Sequence, residues 1–536
     1  MRDPIDRAEL ERRLRLHEDV WADEVRDFVA AGSEDCRLAH FALFKTLLRG
    51  AVEELGLLTA SEGYANQSTV TLLSQLAPVA ENELPLVEAL KRIGLRSAAA
   101  GQLEHGARHL EMMANRAGMI GQRQDARSRS AMRYLYDHEV DAGYAALAAP
   151  LRGPRVAAPA VEPLRFALVV SGIVDDNSGS RVAAAIAEGL QALGHPTVVV
   201  STGHVGAAGA RAVQRLTAAG VAFRAVAGSS YEERIRRLIE HFEAEPVQAA
   251  LYLTFPMDAV AKIAASVGLA PAQVLLNTSY EQFCGRFDAI LETVSEQQIR
   301  HSVNPAIAKF VGSALVAGAA IDRAVAAPRA ALGVPDGATL FGTFGRLQKC
   351  CEPGFMKATS RILAEVPQSV LLLAGPAYDR EESTLRDHFA ANGVLDRVRF
   401  LGAREDDVPS LLKALDVYVD TFPFPGGQSV LEAMWAGLPV VAMRTVPDPN
   451  LDPSGTGPTT AVAELFLGDG VPLAKPGDVE DYVALAKRYA QDRDEAARAG
   501  EHLARRAREH YALDAFVRRI EGAMVEAAQS HRGVAT

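Results

Sequence analysis

Cysteine is scarce: there are four in 536 residues, Cys36, Cys284, Cys350 and Cys351. Their spacing matches neither a zinc site nor a disulfide framework, so they read as reduced thiols of a cytoplasmic protein. Long apolar runs are absent too. The most apolar stretch, 311–332, is broken by Asp322, Arg323 and Arg329, and no membrane span is predicted. The opening "MRDPIDRAELERRLRLHEDV" has no apolar centre, which argues against a signal peptide. Positive charge is not in excess. A net charge of −11 argues against a nucleic-acid partner, because phosphate contacts need a basic face. It leaves room for a small phosphorylated ligand, which needs only local cations. Asp-x-Asp occurs once, at Asp492-Arg493-Asp494 inside a charged helical stretch; it reads as a solvated face, so no metal site is predicted.

What is present is an ordinary globular composition, 49% hydrophobic and 23% charged, with length for roughly three or four domains. Residues 1–155 read as an all-helical domain. "CRLAHFALFKTLLRGAVEELGLL" (36–58) and "SAAAGQLEHGARHLEMMANRAGMI" (97–120) repeat apolar residues at three- and four-residue spacing. A proline-rich stretch, 148–163, reads as a linker. The texture then changes to short apolar runs alternating with helical ones: "RFALVVSG" (165–172), "PTVVVST" (196–202), "AALYLTF" (249–255) and "PAQVLLNT" (271–278). That alternation predicts parallel βαβ units and a Rossmann-like domain over 164–325. A second linker-like stretch, 326–339, precedes a restart of the pattern over 338–513, and 514–536 reads as a closing helix and tail. The fold class expected is α/β: two tandem Rossmann-like domains preceded by an all-α domain, with a ligand in the cleft at the strand C-termini.

Two stretches carry chemistry. "TFPFPGGQSVLEAMWAGLPVVAM" (421–443) runs from a strand end through Gly426-Gly427-Gln428-Ser429 into a helix. Free N–H groups at a helix start, with glycines allowing close approach, suit an anion. Ser429 and Glu432 are also spaced as a capping box, which needs no ligand. "GTFGRLQKCCEP" (342–353) places Arg346 and Lys349 at the C-terminal end of the second domain's first strand. A cationic pair and an N–H cradle on one cleft edge fit a diphosphate. In the first domain, Asp175 and Asp176 follow the first strand and His204 follows the second. Asp176 and His204 are the candidates for a catalytic base, with Tyr280, Glu281 and Gln282 as candidates to line the acceptor side.

The segments "GRLQKCCEP", "EVPQSVLLLAG" and "DVYVDTFPFPGGQSVLEAMWAGLPVVAM" resemble the catalytic half of O-GlcNAc transferase and its bacterial HMW1C-like relatives. "LEAMWAGLPVV" is also similar to the broader GT-B glycosyltransferases of the glycogen synthase-like type. The resemblance implies a UDP-sugar donor and no metal requirement. Lys349 then matches the lysine that contacts the donor diphosphate, and Gly427, Gln428 and Ser429 stand at a phosphate loop. Glu432 matches a ribose-binding acid, and the strand ends at Gly375 and Leu401 would flank the base.

There are two departures. Gly427 stands where the family has histidine, and Phe424 stands where retaining enzymes carry glutamate, which favours inversion. The expectation is an inverting glycosyltransferase moving a hexose or N-acetylhexosamine to an acceptor, most plausibly a protein side chain by resemblance. The helical domain is a candidate for acceptor or homo-oligomer contacts. The alternatives are a retaining enzyme acting on a glycan or small molecule, a nucleotide-sugar epimerase, and a non-catalytic nucleotide-sugar-binding scaffold.

Overall fold

The computed structural model describes residues 84–121, 138–152, 162–175, 178–203, 209–254, 257–277, 285–293, 304–377, 380–404, 407–423, 425–444, 466–468 and 470–532. The candidate bases Asp176 and His204, together with Tyr280, Glu281, Gln282 and Phe424, lie outside them.

Three helices come first: α1 (Leu84–Ala99), α2 (Leu103–Gly121) and α3 (His138–Ala148). Glycines let them approach closely. A Cβ on Gly94 would lie 2.7 Å from the Leu110 side chain, one on Gly106 2.9 Å from Leu147, and one on Gly143 2.7 Å from Leu95. Then follow β1 (Phe166–Val170), α4 (Ser178–Ala192), β2 (Thr197–Ser201), α5 (Ala210–Ala218), β3 (Ala222–Ala225), α6 (Tyr231–Ala244), β4 (Ala249–Leu253), α7 (Ala259–Val267), β5 (Ala272–Asn277), β6 (Ala289–Glu292) and β7 (Ala308–Phe310). They build a parallel sheet of order β3-β2-β1-β4-β5-β6-β7. The apolar runs are explained by burial on both faces. Ala167 and Val169 point to one core, while Phe166, Leu168 and Val170 point to the other.

The first core draws on the preceding helical segment as well as on the sheet. Val87, Leu90, Leu110, Tyr144 and Leu147 of α1–α3 form one cluster with Val169, Val200 and the buried helix α7. Carboxylates of α2 also reach the starts of first-lobe helices: Glu104 accepts from the Tyr231 N–H at 2.7 Å and Glu111 from the Ala259 N–H at 3.2 Å. Negative charge at a helix N-terminus is favourable. This helical segment is a layer of the first lobe.

The chain crosses to the second lobe near Leu315, about ten residues before the expected linker. It continues through α8 (Gly318–Arg323), β8 (Thr339–Phe344), α9 (Leu347–Cys350), α10 (Pro353–Glu365), β9 (Ser369–Ala374), α11 (Glu381–Ala391), β10 (Val398–Phe400), α12 (Val408–Ala414), β11 (Val417–Val419), α13 (Gln428–Trp435), β12 (Val440–Val441), α14 (Val479–Gln491) and α15 (Arg493–His510). Leu315 and Ile321 already belong to the second lobe's core. The second sheet is parallel with order β10-β9-β8-β11-β12.

The return crossing lies beside the outward one, where the Leu315 N–H donates to Tyr511 O at 2.8 Å. The last helix, α16 (Leu513–Arg532), packs Phe516, Ile520 and Met524 into the first lobe's second core. Strands β6 and β7 have four and three residues. Runs so short show no periodicity of their own, and the sequence reading did not single them out.

Candidate functional site

The site forms where β8 and β11 end. Gly345 leaves β8 at φ +147° and its N–H donates to Ala374 O at 3.0 Å. Gly375, at the end of β9, touches this turn so closely that a Cβ there would lie 1.7 Å from Gly345 O. The Gly375 N–H donates to Gly402 O at 2.8 Å and the Leu401 N–H to Leu373 O at 3.0 Å. The two strand ends are thereby tied to the turn that carries Arg346 and Lys349.

Arg346 is exposed and Lys349 is half-buried. Lys349 Nζ donates to Pro425 O at 2.8 Å, which holds it against the glycine loop. Burial lowers its pKa; Asp420 works in the opposite direction, and the nearby Arg346 cation lowers it further. Asp420 follows β11, is 2% exposed, and accepts from the Gly426 N–H at 2.7 Å through Oδ1. Burial pushes its carboxyl up to about 7, against the opposing effects of that hydrogen bond and of Lys349. Two cations face one buried acid that burial biases toward its neutral form, so an arriving anion would find positive charge to pair with.

Helix α13 completes the cradle. Gly427 is its N-cap, with no side-chain cap. The Ser429/Glu432 capping-box alternative is therefore not what forms: Ser429 is inside the helix and its side chain bonds the Tyr418 hydroxyl. The Gly427, Gln428 and Ser429 N–H groups have no acceptor among the described residues. A Cβ on Gly427 would meet nothing within 4 Å, so the loop faces open space there. The Gln428 side chain turns away: its Nε2 donates to Ala314 O at 2.7 Å, and its Oε1 accepts from the Val316 N–H at 3.4 Å. It fastens the loop to the interlobe crossing, leaving its backbone N–H for a ligand. Glu432 is 4% exposed and faces Arg181 Nη1 of the first lobe at 3.4 Å. Burial raises its carboxyl, and Arg181 partly counters the rise.

The structure thus brings Arg346, Lys349, Gly375, Leu401, Gly426, Gly427, Gln428, Ser429 and Glu432 to one lobe's strand-end edge. Sequence reasoning missed Asp420, although a lone Asp closing the apolar run "VYV" was a usable signal. It missed Arg181 as well, for which no local signal exists. Asp175 is spent on structure, accepting from the Ala212 N–H at 2.8 Å at the start of α5. Cys350 is in the core, and burial pushes its thiol up to about 12 and that of Cys351 up to about 11. Both sit far from the range of reactive thiols. Among the described residues there is no cluster of three or more His, Cys, Asp or Glu side chains able to hold a metal ion. Nor is any described helix long and apolar enough to cross a membrane.

Asp420 also makes stability pH-dependent. Its folded pKa lies above the ordinary carboxylate value of 3.8, so the folded state holds more protons between about 4 and about 7. Its contribution to stability therefore falls as pH rises through that window and is flat above it. Relative to Asp420→Asn, the wild-type melting temperature should decline from pH 4 to 7. A constant difference between the two proteins across the window would count against a raised Asp420.

The family described as Glycosyl transferases group 1 matches residues 338–492. The UDP-N-acetylglucosamine–peptide N-acetylglucosaminyltransferase of Giardia intestinalis is 35% identical over 117 residues, covering 21% of this chain and 8% of that protein. The D-inositol 3-phosphate glycosyltransferase of Stackebrandtia nassauensis is 30% identical over 206 residues, covering 35% of this chain and 43% of that protein. The chain thus spans less than half the length of these curated relatives. Among solved structures, a mutant Thermobaculum terrenum O-GlcNAc transferase aligns over 99% of this chain and 100% of its own, with TM-score 0.52 and 20% identity. Anabaena HepE, solved in complex with UDP and glucose, aligns over 68% of this chain and 100% of its own, with TM-score 0.53 and 17% identity. At these identities the likeness concerns the fold: the two lobes have the GT-B arrangement. Residues 338–492, which carry the Lys349 turn and the 426–429 loop, are the part of the chain that matches the Glycosyl transferases group 1 family.

Proposed function

We propose that the protein is a glycosyltransferase that takes a hexose or N-acetylhexosamine from a UDP-sugar and passes it, with inversion, to a protein side chain. The observation that carries this reading is the Lys349–Asp420 corner beneath three acceptorless N–H groups at the start of α13. Breaking the sugar–phosphate bond develops negative charge on the diphosphate. Donors fixed beforehand stabilise that charge without reorganising. Lys349 and Arg346 supply cations, while Gly427, Gln428 and Ser429 supply backbone N–H groups. Glu432 accepts from the ribose diol, and the Gly375 and Leu401 strand ends border the base.

The peptide acceptor of the Giardia relative supports a protein acceptor, and the HepE complex supports UDP. Phe424, in place of the glutamate of retaining enzymes, supports inversion. On this reading Asp176 or His204 is the base that deprotonates the acceptor, and no metal is required.

The test is melting in the presence of UDP, GDP, ADP and CMP, with and without Mg²⁺, together with UDP release from UDP-sugars. A ligand at 100 times its Kd stabilises the fold by about 2.7 kcal/mol, a readable shift. A Mg²⁺-independent shift with UDP and release of UDP are expected. No shift with any nucleotide would overturn the donor site, and a product of retained anomeric configuration would overturn inversion.

A further inference from the structure

We infer that Arg181, in the first lobe, is a positioning residue for the donor ribose: it reaches across the cleft to fix Glu432 in the second lobe with one carboxylate oxygen occupied and the other left for the diol. This rests on the donor-site reading above and extends it to a residue on the opposite lobe.

Three observations support it. Glu432 lies in the second turn of α13, its side chain is 5% exposed, and Arg181 Nη1 is 3.4 Å from Oε1. No other partner of the Glu432 carboxylate exists among the described residues. The second carboxylate oxygen therefore has no protein donor among the described residues and is left for a ligand. Arg181 is itself 40% exposed and stands in the first turn of α4, at the strand-end edge of the first lobe. Its guanidinium therefore borders the cleft and is open to it.

The charged groups on elements packed around α13 have other tasks. Asp322 of α8 bonds Trp435 Nε1 at 3.0 Å and pairs with Arg508 of α15 at 3.2 Å. Lys413 of α12 donates to Ala324 O at 2.7 Å. Arg181 is the charged group among the described residues that acts on Glu432.

Ionisation follows from the same geometry. Burial favours the neutral acid and Arg181 favours the carboxylate. Only the ionised form offers acceptors alone, as two vicinal hydroxyl donors require. Binding that depends on the ionised acid holds above the Glu432 pKa and weakens as pH falls through it. Without Arg181 that weakening begins at a higher pH.

The experiment titrates wild type, Arg181→Gln, Arg181→Lys and Glu432→Gln with UDP and with 2′,3′-dideoxyuridine diphosphate across a pH series. The expected result is that Arg181→Gln loses about tenfold in UDP affinity, keeps its affinity for the dideoxy analogue, and shows its pH midpoint moved upward. Arg181→Lys should recover most of the loss, and Glu432→Gln should remove the part of the pH dependence that UDP shows and the dideoxy analogue lacks, leaving the part that Asp420 and Lys349 impose at the diphosphate. Equal losses for both nucleotides with an unmoved midpoint would overturn the inference, placing the guanidinium on the phosphates or in lobe closure. Unchanged UDP binding in Arg181→Gln would overturn it as well. A wild-type protein that binds neither nucleotide would overturn the donor site itself, and with it this inference. One that binds both equally would remove Glu432 from the ribose.

Discussion

Lys349→Ala is expected to lower kcat/KM for UDP-sugar turnover by about 100- to 1,000-fold, the range seen when one preorganised donor to a developing anion is removed. The same substitution should leave the fold as stable as before, or slightly more so. Lys349 Nζ has one hydrogen-bond acceptor among the described residues, Pro425 O, and burial disfavours its charged form. Its neighbour Asp420 is a poor counterion because its own carboxyl is pushed up to about 7. A cation kept in this way contributes little to the ligand-free protein and most when a diphosphate arrives. Steady-state UDP release and a urea titration of the same sample check both halves. Loss of stability in parallel with activity would recast Lys349 as a structural residue. Retained turnover would remove it from the site.

Gly375→Ala should act through the backbone. The added methyl would fall 1.7 Å from Gly345 O and 2.5 Å from Gly345 C, neither of which is a side chain able to swing aside. Relief requires parting the β8 and β9 ends, at the cost of the Gly375–Gly402 and Gly345–Ala374 hydrogen bonds. Overpacking of this kind destabilises by roughly 3 kcal/mol. Because the parted turn carries Arg346 and Lys349, donor binding should weaken along with stability. Gly437→Ala is the comparison. That residue has φ +81° with nothing within 4 Å of an added Cβ, so only backbone strain of about 1 kcal/mol is expected. Urea midpoints and UDP titrations of the two variants test the contrast, and a Gly375→Ala protein as stable as Gly437→Ala would refute it.

Much of this was legible in advance. The alternation of apolar runs with amphipathic helices is a local property of the chain, and it specified two parallel sheets. The strand–glycine–helix order of 416–435 and the cations after β8 are likewise local, so the second lobe's cradle of glycine loop and neighbouring cations could be read from spacing. The roles of single side chains in that cradle were less legible. Ser429 and Glu432 have the spacing of a capping box, yet the helix starts at Gly427 and both side chains turn to tertiary partners, Tyr418 and Arg181. Gln428 reads as a loop residue, and its amide is taken by the backbone of the crossing segment at 314–316.

By itself the sequence determined the α/β class, the restart of the pattern in a second lobe, and the glycine loop that opens α13, because periodicity and helix starts depend on neighbours a few residues away. Tertiary structure alone decided that 84–148 is a layer of the first lobe, that Asp420 sits buried under the loop, and that Arg181 meets Glu432 across 251 positions of chain. Burial and charge pairing are set by which surfaces meet in space, and no spacing along the chain encodes that.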